Sequence, residues 1–488
     1  MNKTAKSTVA LASMAMFILS GLMVAATASA GVSLTDDLTT EDGATTALGG
    51  GDHFFVKFGT DAAFGIVWGT EETQNNVYFV VIKARYLGVA DVYDGDGELL
   101  QDNYTMKVYT MYAVKLDSIV EFDDVDDNGA LQYQRTYSEM EGDFTSYVGP
   151  EPIIKKVDLN TAWNASEVEF KEVEDNRSWS FDLAATNLPY VLLAENATEA
   201  VGDGVLNAFR LSFNLEATTV QVDNASLPQW RITVTTGPLG ASTLILPERI
   251  DDIQIVGNLI KYDVKWDQTI EGWDFDPANE NPTLIMEMQN IVGNLIPPLM
   301  AKWMDTRLLT YMNAVGVMTC ESSAGTLEVN DTTGPLPAVR QLTATRLTFG
   351  SDWTEIGVLT WVDDVMVDGE PAMVKAQVMA GHRVLAFGEG QTRFDGFVAL
   401  TGLTFPGGSL IVHDPTFSSE ALVDVSFVRE SSLPIVFIGL AAIVVAIVIV
   451  ALAVISSGKD KPKRGVKHSY ERSRDSKPGE WEKYYNRK

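Results

Sequence analysis

Cysteine is almost absent. Cys320 is the only one in 488 residues, so no intrachain disulfide is possible. A chain of this length buries enough apolar surface to fold without such staples. A buried thiol is the expected state of Cys320, with intermolecular pairing as the alternative. Histidine is also scarce, with His53, His382, His413 and His468 the whole set. No H-E-x-x-H, G-x-S-x-G, Walker loop or complete G-x-G-x-x-G occurs, so no motif supports a zinc protease, serine hydrolase or nucleotide-binding enzyme. The run "GGSLIVHDP" sets His413 beside Asp414, and such a pair in a turn before proline reads as structural. Carboxylates are so abundant that their spacing carries no information on glycoside hydrolysis. The sequence predicts no enzyme.

What is present first fixes the compartment. Lys3 and Lys6 precede an apolar run over 9–26 and then Ala28-Ser29-Ala30. That order predicts a secretory signal, 1–30, cleaved after Ala30; a retained N-terminal anchor is the alternative, against which the small-residue site weighs. Residues 433–455, LPIVFIGLAAIVVAIVIVALAVI, hold no charge and no amide side chain. At about 1.5 Å per residue they would cross the ~30 Å hydrocarbon core with slight tilt, so a transmembrane helix is expected. Lys459, Lys461, Lys463, Arg464 and Lys467 follow directly. The positive-inside rule then puts the basic tail, 456–488, in the cytoplasm and residues 31–432 outside.

Charge divides at the same boundary. The tail from Lys459 carries 11 basic and 5 acidic residues, leaving 23 basic and 61 acidic outside once Lys3 and Lys6 are removed, a net of −38. Such a field repels nucleic acid and anionic membrane, so neither is expected as a partner of the ectodomain. It attracts divalent cations and suits a salty medium that screens self-repulsion. The tail's basic residues serve topology control more than lipid adhesion, since acids and prolines are mixed among them. Six Asn-x-Ser/Thr sequons stand outside the membrane, at Asn103, Asn164, Asn176, Asn196, Asn224 and Asn330. Glycosylation there is expected for an extracellular chain. In composition and topology, though in no motif, the chain resembles an archaeal cell-surface glycoprotein.

Residues 31–52 read as a flexible mature N-terminus ending in Gly49-Gly50-Gly51. Strand signals dominate beyond. Residues 77–93 and 106–122 are rich in Val, Ile, Tyr and Phe. "SWSFDL" sets Trp179, Phe181 and Leu183 on one face, and "RLSFNLEA" does so with Leu211, Phe213, Leu215 and Ala217. The expected fold is mainly all-β: two tandem antiparallel β-sandwich-like ectodomains, 53–270 and 337–428, with a minor helical insertion. Between them, 271–336 reads as an acidic linker and a Met/Leu-rich, partly helical segment. Pro297 and Pro298 forbid one continuous helix, leaving 299–315 as the candidate. Residues 429–432 form a short stalk.

One acidic cluster invites a metal. Asp124, Asp126, Asn128 and Gly129 match positions 1, 3, 5 and 6 of the D-x-[DN]-x-[DN]-G calcium loop, where alternate oxygens converge and glycine permits the sharp turn. Position 12 is Arg135 instead of glutamate, and strand-like flanks replace helices, so this is no EF-hand. A partial loop completed by Asp123, Asp127 or Glu139 would hold a structural calcium ion, and "YDGDGE" with Asp94, Asp96 and Glu98 is a possible second turn of this kind. The competing reading, a solvated acidic turn, is the expected one in so acidic a chain. No other cofactor is expected. The functional expectation is a non-enzymatic single-pass surface glycoprotein in envelope structure, adhesion or partner recognition, its partners other surface proteins or glycans. A calcium-assisted glycan- or solute-binding receptor, or an accessory subunit of a membrane complex, is the alternative.

Overall fold

A computed structural model describes residues 51–428 except 60, 132–133, 139–142, 149–150, 195–197, 237–242, 297–317, 323–324, 330–339, 343, 350–356, 361–363 and 388–392. The expected signal, stalk, transmembrane span, tail and 299–315 helix lie outside the described residues. Those described are strands and connections, with no helix among them, so none is long and apolar enough to cross a membrane.

The strands begin with β1 (Asp52–Phe58), β2 (Ala62–Trp68), β3 (Tyr78–Asp94) and β4 (Leu99–Asp123). Then come β5 (Gln134–Ser138), β6 (Asp143–Val148), β7 (Ile153–Asp158), β8 (Asn164–Ala165) and β9 (Glu169–Val173). Four long ones follow: β10 (Asn176–Ala194), β11 (Thr198–Thr236), β12 (Thr243–Glu271) and β13 (Pro282–Ile296). The next are β14 (Met318–Ser322), β15 (Gly325–Val329), β16 (Arg340–Leu342), β17 (Ala344–Phe349) and β18 (Gly357–Thr360). The last are β19 (Asp364–Val367), β20 (Glu370–Met373), β21 (Lys375–Phe387), β22 (Arg393–Pro406), β23 (Leu410–His413) and β24 (Thr416–Val428).

Apart from the β5–β6 pair, these strands belong to one branched sheet. One antiparallel run goes β1–β2–β3–β4–β13–β22–β21–β16. A second goes β9–β10–β11–β12–β24–β18–β17–β14–β15. From the C-terminal end of β12, β23, β19 and β20 continue as a branch. Strand β7 joins β4 to β10, and β11 pairs in parallel with β3.

The alternation read in the sequence sets the register. Trp179, Phe181 and Leu183 of β10 lie opposite Leu215, Phe213 and Leu211 of β11, and all six are buried. Aromatic rings then tie the two runs together: Phe79 of β3 meets Trp266 of β12 at 4.7 Å, and Tyr112 of β4 stacks on Phe417 of β24 at 4.7 Å. Each such side chain taken out of water contributes about 1.5–3 kcal/mol. The main core draws residues from Phe54 through Val423.

Pairing therefore crosses the interval 271–336. Strand β13 lies between β4 and β22, and β24 runs beside β12. The Met/Leu-rich run 284–292 is buried along its whole length as strand β13. Two of its polar side chains are bonded inside: Glu287 accepts from Ser118 at 2.9 Å, and Asn290 meets Tyr112 at 2.9 Å and Thr401 at 2.7 Å. The acidic turn after β12 is pinned as well. Glu121, fully buried on β4, accepts from Trp273 Nε1 at 2.8 Å, Asp276 N at 3.1 Å and Asn279 Nδ2 at 3.1 Å, with Lys155 Nζ at 3.6 Å. Further out, the β3–β4 and β11–β12 hairpins run together past the main core as an arm with its own small core: Ala90, Val92, Met106, Val108, Ile232 and Ile245.

Candidate metal centre

The loop 124–131 follows directly from β4. Asp124 is 3% exposed and its carboxylate is turned into the loop, with Oδ1 accepting from Asn128 N at 3.0 Å and Oδ2 from Gly129 N at 2.6 Å. Asp126 Oδ1 accepts from Asn128 N at 3.3 Å, and Asn128 Oδ1 from Ala130 N at 2.8 Å. Residues that would be ligands thus cap backbone donors, the common use of Asp and Asn in turns. Asp127 and Gly129 have φ of +55° and +70°. Gly129 suits its place twice over, since a Cβ there would also meet Lys375 Nζ at 2.5 Å.

The loop is tied to strands far away in sequence. Lys375 Nζ donates to Asn128 O at 2.6 Å, Thr404 Oγ1 to Gly129 O at 2.7 Å, and Asn281 Nδ2 to Asp124 O at 3.3 Å. Leu131 N donates to Gln377 Oε1 at 3.0 Å. A shallow cavity opens beside it, lined by Asp124, Asp127, Glu280, Lys375, Thr404 and Phe405 among others.

Carboxylate oxygens of Asp124, Asp126 and Glu151 all lie within 4.8 Å of one another, the one such grouping of His, Cys, Asp and Glu among the described residues. Glu151 is buried. It was not foreseen, and no spacing pattern points to it. Antiparallel pairing of β4 with β7 brings Phe122 opposite Ile153 and lets Asp123 N donate to Pro152 O at 3.1 Å, which carries Glu151 to the loop. Asn128, expected as a ligand, spends its side-chain oxygen on Ala130. Asp127 lines the cavity outside the triad, Asp123 closes β4, and Glu139 lies outside the described residues.

Burial pushes the Asp124 carboxyl above the ordinary aspartate range; the Gly129 and Asn128 amides pull it back in part, and Asp126 adds to the rise. Three carboxylates this close fit a hard divalent cation in oxygen chemistry, but calcium takes six to eight oxygens, and here waters or main-chain carbonyls would have to supply the balance. Lys375 already places one positive charge on the loop.

The other flagged residues resolve into structural uses. Asp94 Oδ1 accepts from Asp96 N at 3.0 Å and Glu98 N at 2.8 Å, closing the β3–β4 turn, and no metal grouping includes these acids. His413 points inward, its Nδ1 2.9 Å from Gln268 Nε2, whereas Asp414 faces out to Lys265 at 3.2 Å. With His413 on Gln268 and Asp414, just past the end of β23, on Lys265, the two side chains do not form an acid/base dyad. Among sequons, Asn164 and Asn176 are exposed and Asn103 half-buried. Asn224 lies in β11, and Asn196 and Asn330 fall outside the described residues. Cys320 lies in β14, between β15 and β17. Comparison with protein-family models, with characterised proteins and with solved structures gives no match.

Proposed function

We propose that this chain is a non-enzymatic, single-pass cell-surface glycoprotein whose acidic β-rich ectodomain serves envelope structure, adhesion or partner recognition. One observation carries the choice over a glycan receptor. Of the six described tryptophans, Trp68, Trp163, Trp179, Trp266 and Trp273 are buried, and Trp230 packs half-buried against the arm's small core. Sugar-binding faces set aromatic rings on an open concave surface, and the described tryptophans are committed to cores instead. In this proposal the two strand runs are the layers of a β-sandwich. Segments 53–270 and 337–428 interlock through β13 and β24 as one unit, where the sequence suggested two in tandem.

A second reading keeps calcium, favoured by the Asp124, Asp126 and Glu151 grouping. There the ion is structural, clamping the β4 end to β7. Cross-linking on intact cells followed by mass spectrometry tests the function. Recurrent cross-links to other surface proteins, or between copies of this chain, support a structural or adhesive role. Cross-links confined to the subunits of one membrane enzyme or transporter would move the assignment to an accessory subunit.

A further inference from the structure

We propose that the arm formed by the β3–β4 and β11–β12 hairpins lies against the outer leaflet of the membrane that anchors the chain, with Leu99, Leu246 and Ile250 in contact with lipid. This rests on the reading of 433–455 as a membrane span. Its geometric basis is the direction in which the described chain ends. Strand β24 runs antiparallel to β12, from Thr416 opposite Lys265 to Val428 opposite Gln254. At Val428, β24 points along β12 toward Thr243, so toward the tip of the arm.

Lengths exclude an upright arm. Residues 429–432 allow at most about 18 Å between the Cα atoms of Val428 and Leu433. From Gln254 to Thr243, β12 continues roughly 36 Å the same way. An upright arm would therefore reach roughly 18 Å past the point where the span enters hydrocarbon, beyond a headgroup layer of about 5–7 Å. Asp94, Asp96 and Glu98 at the tip exclude such insertion, because burying unpaired carboxylates in lipid is too costly. An arm directed at the bilayer therefore leans, which brings one face to the surface.

One face carries an apolar row at its tip end, bordered by Arg231 and its register partners Asp91 and Glu248, which stay at the headgroup level. Leu99, Tyr93, Thr233 and Leu246 are cross-strand neighbours on β4, β3, β11 and β12. They lie on the side opposite the buried Val92 and Ile232, and Leu99 and Leu246 are 53% and 50% exposed. Arg231 stacks on Tyr93 at 5.3 Å, so the row combines leucine, tyrosine and arginine, which suit a headgroup boundary. Leu100 and Ile250 stand at register shifts on the arm's two outer strands, 59% and 49% exposed. The surrounding acids rule out electrostatic attraction to anionic lipid. The contact is apolar and is held by tethering, which gives the patch a millimolar-scale effective concentration at the bilayer.

The test uses the full chain in phosphatidylcholine vesicles containing a headgroup-quencher lipid. Leu99→Cys, Leu246→Cys and Ile250→Cys, each in a Cys320→Ser background, carry a fluorophore. Leu410→Cys, at the opposite end of β12 beside Glu271 and 40% exposed, is the reference position. Quenching at the three arm positions several-fold above that at 410 is expected. Arm labels quenched no more than the label at 410, in protein that floats with the vesicles and resists alkaline extraction, would overturn the contact and leave the span intact. Protein that neither floats nor resists extraction would overturn the span and the contact together.

Discussion

Replacing Glu121 by leucine removes the one acceptor that three donors of the turn after β12 share. Trp273 Nε1, Asp276 N and Asn279 Nδ2 all end on its carboxylate, and Lys155 Nζ stands 3.6 Å away. Leucine fills similar volume, so the cost is polar. Each buried donor left unpaired costs about 1–3 kcal/mol, and an ammonium deprived of its buried partner about 3–5 kcal/mol. Asn279 Nδ2 keeps a second acceptor in Phe122 O at 3.2 Å, and Lys155 still donates to Asp274 O and lies 4.2 Å from the Tyr190 ring centre, which reduces the share of both. The turn can also open toward water. A total loss of about 3–5 kcal/mol is expected, on the order of 5 °C in Tm for a unit of this size at about 2.1 cal/mol/K per residue. Differential scanning calorimetry of the ectodomain, with hydrogen exchange of 272–281, measures both. The Glu121→Leu and Lys155→Met single variants and their double variant together report the pair's coupling. A Glu121→Leu protein within about 1 kcal/mol of the parent, its turn amides still protected, would refute the view that this carboxylate holds the turn down.

Millimolar calcium should raise Tm if the acidic grouping binds it, and Asp124→Ala with Asp126→Ala, or Glu151→Gln alone, should cut the rise. Equal effects of sodium at matched ionic strength and of magnesium would show screening only. Because Asp124 is lifted above the ordinary range, its ionisation disfavours the fold. Stability from this group therefore increases as pH falls through its raised value, and any calcium effect should shrink over that same interval, as calorimetry at stepped pH would show. At the alkaline end, burial pushes Tyr104 up to about 12, partly opposed by Lys107. Burial also works against the charge of Lys107, but Tyr109 and Asp61 outweigh it and raise that group. Both groups hold their proton more tightly in the folded state, so their contribution is complete below about pH 10 and is lost above it. Chemical denaturation should show falling stability from about pH 10 upward, and a flat profile to pH 12 would contradict this. Residues 52–430 produced alone should keep their circular dichroism and Tm in dithiothreitol. Reductive unfolding would mean that an intermolecular Cys320 bridge is structural.

Much of the strand content was legible, because period-two alternation is a local property. Trp179, Phe181 and Leu183 announced both their strand and its buried face. Runs such as 78–84 and 284–292 do not alternate; they are buried on both faces, and length and composition alone had to classify them. For β13, dense Met and Leu obscured a strand whose placement depends on β4 and β22. Which strands pair is a tertiary fact, and nothing local to 282–296 or 416–428 names β4 or β12 as neighbour. The metal grouping divides in the same way. Asp124 and Asp126 were visible as a spaced pair, whereas Glu151 joins them only through the β4–β7 register. Asn128 fitted the spacing, but the loop uses its oxygen as a turn cap.

Topology is the claim on which the rest depends, and protease protection on intact cells measures it most directly. With antibodies to the ectodomain and to the tail beyond Lys459, added protease should remove the ectodomain signal while the tail stays on a small membrane-bound fragment. Loss of the tail without permeabilisation, or an ectodomain protected until the membrane is opened, would contradict a surface ectodomain above a single span.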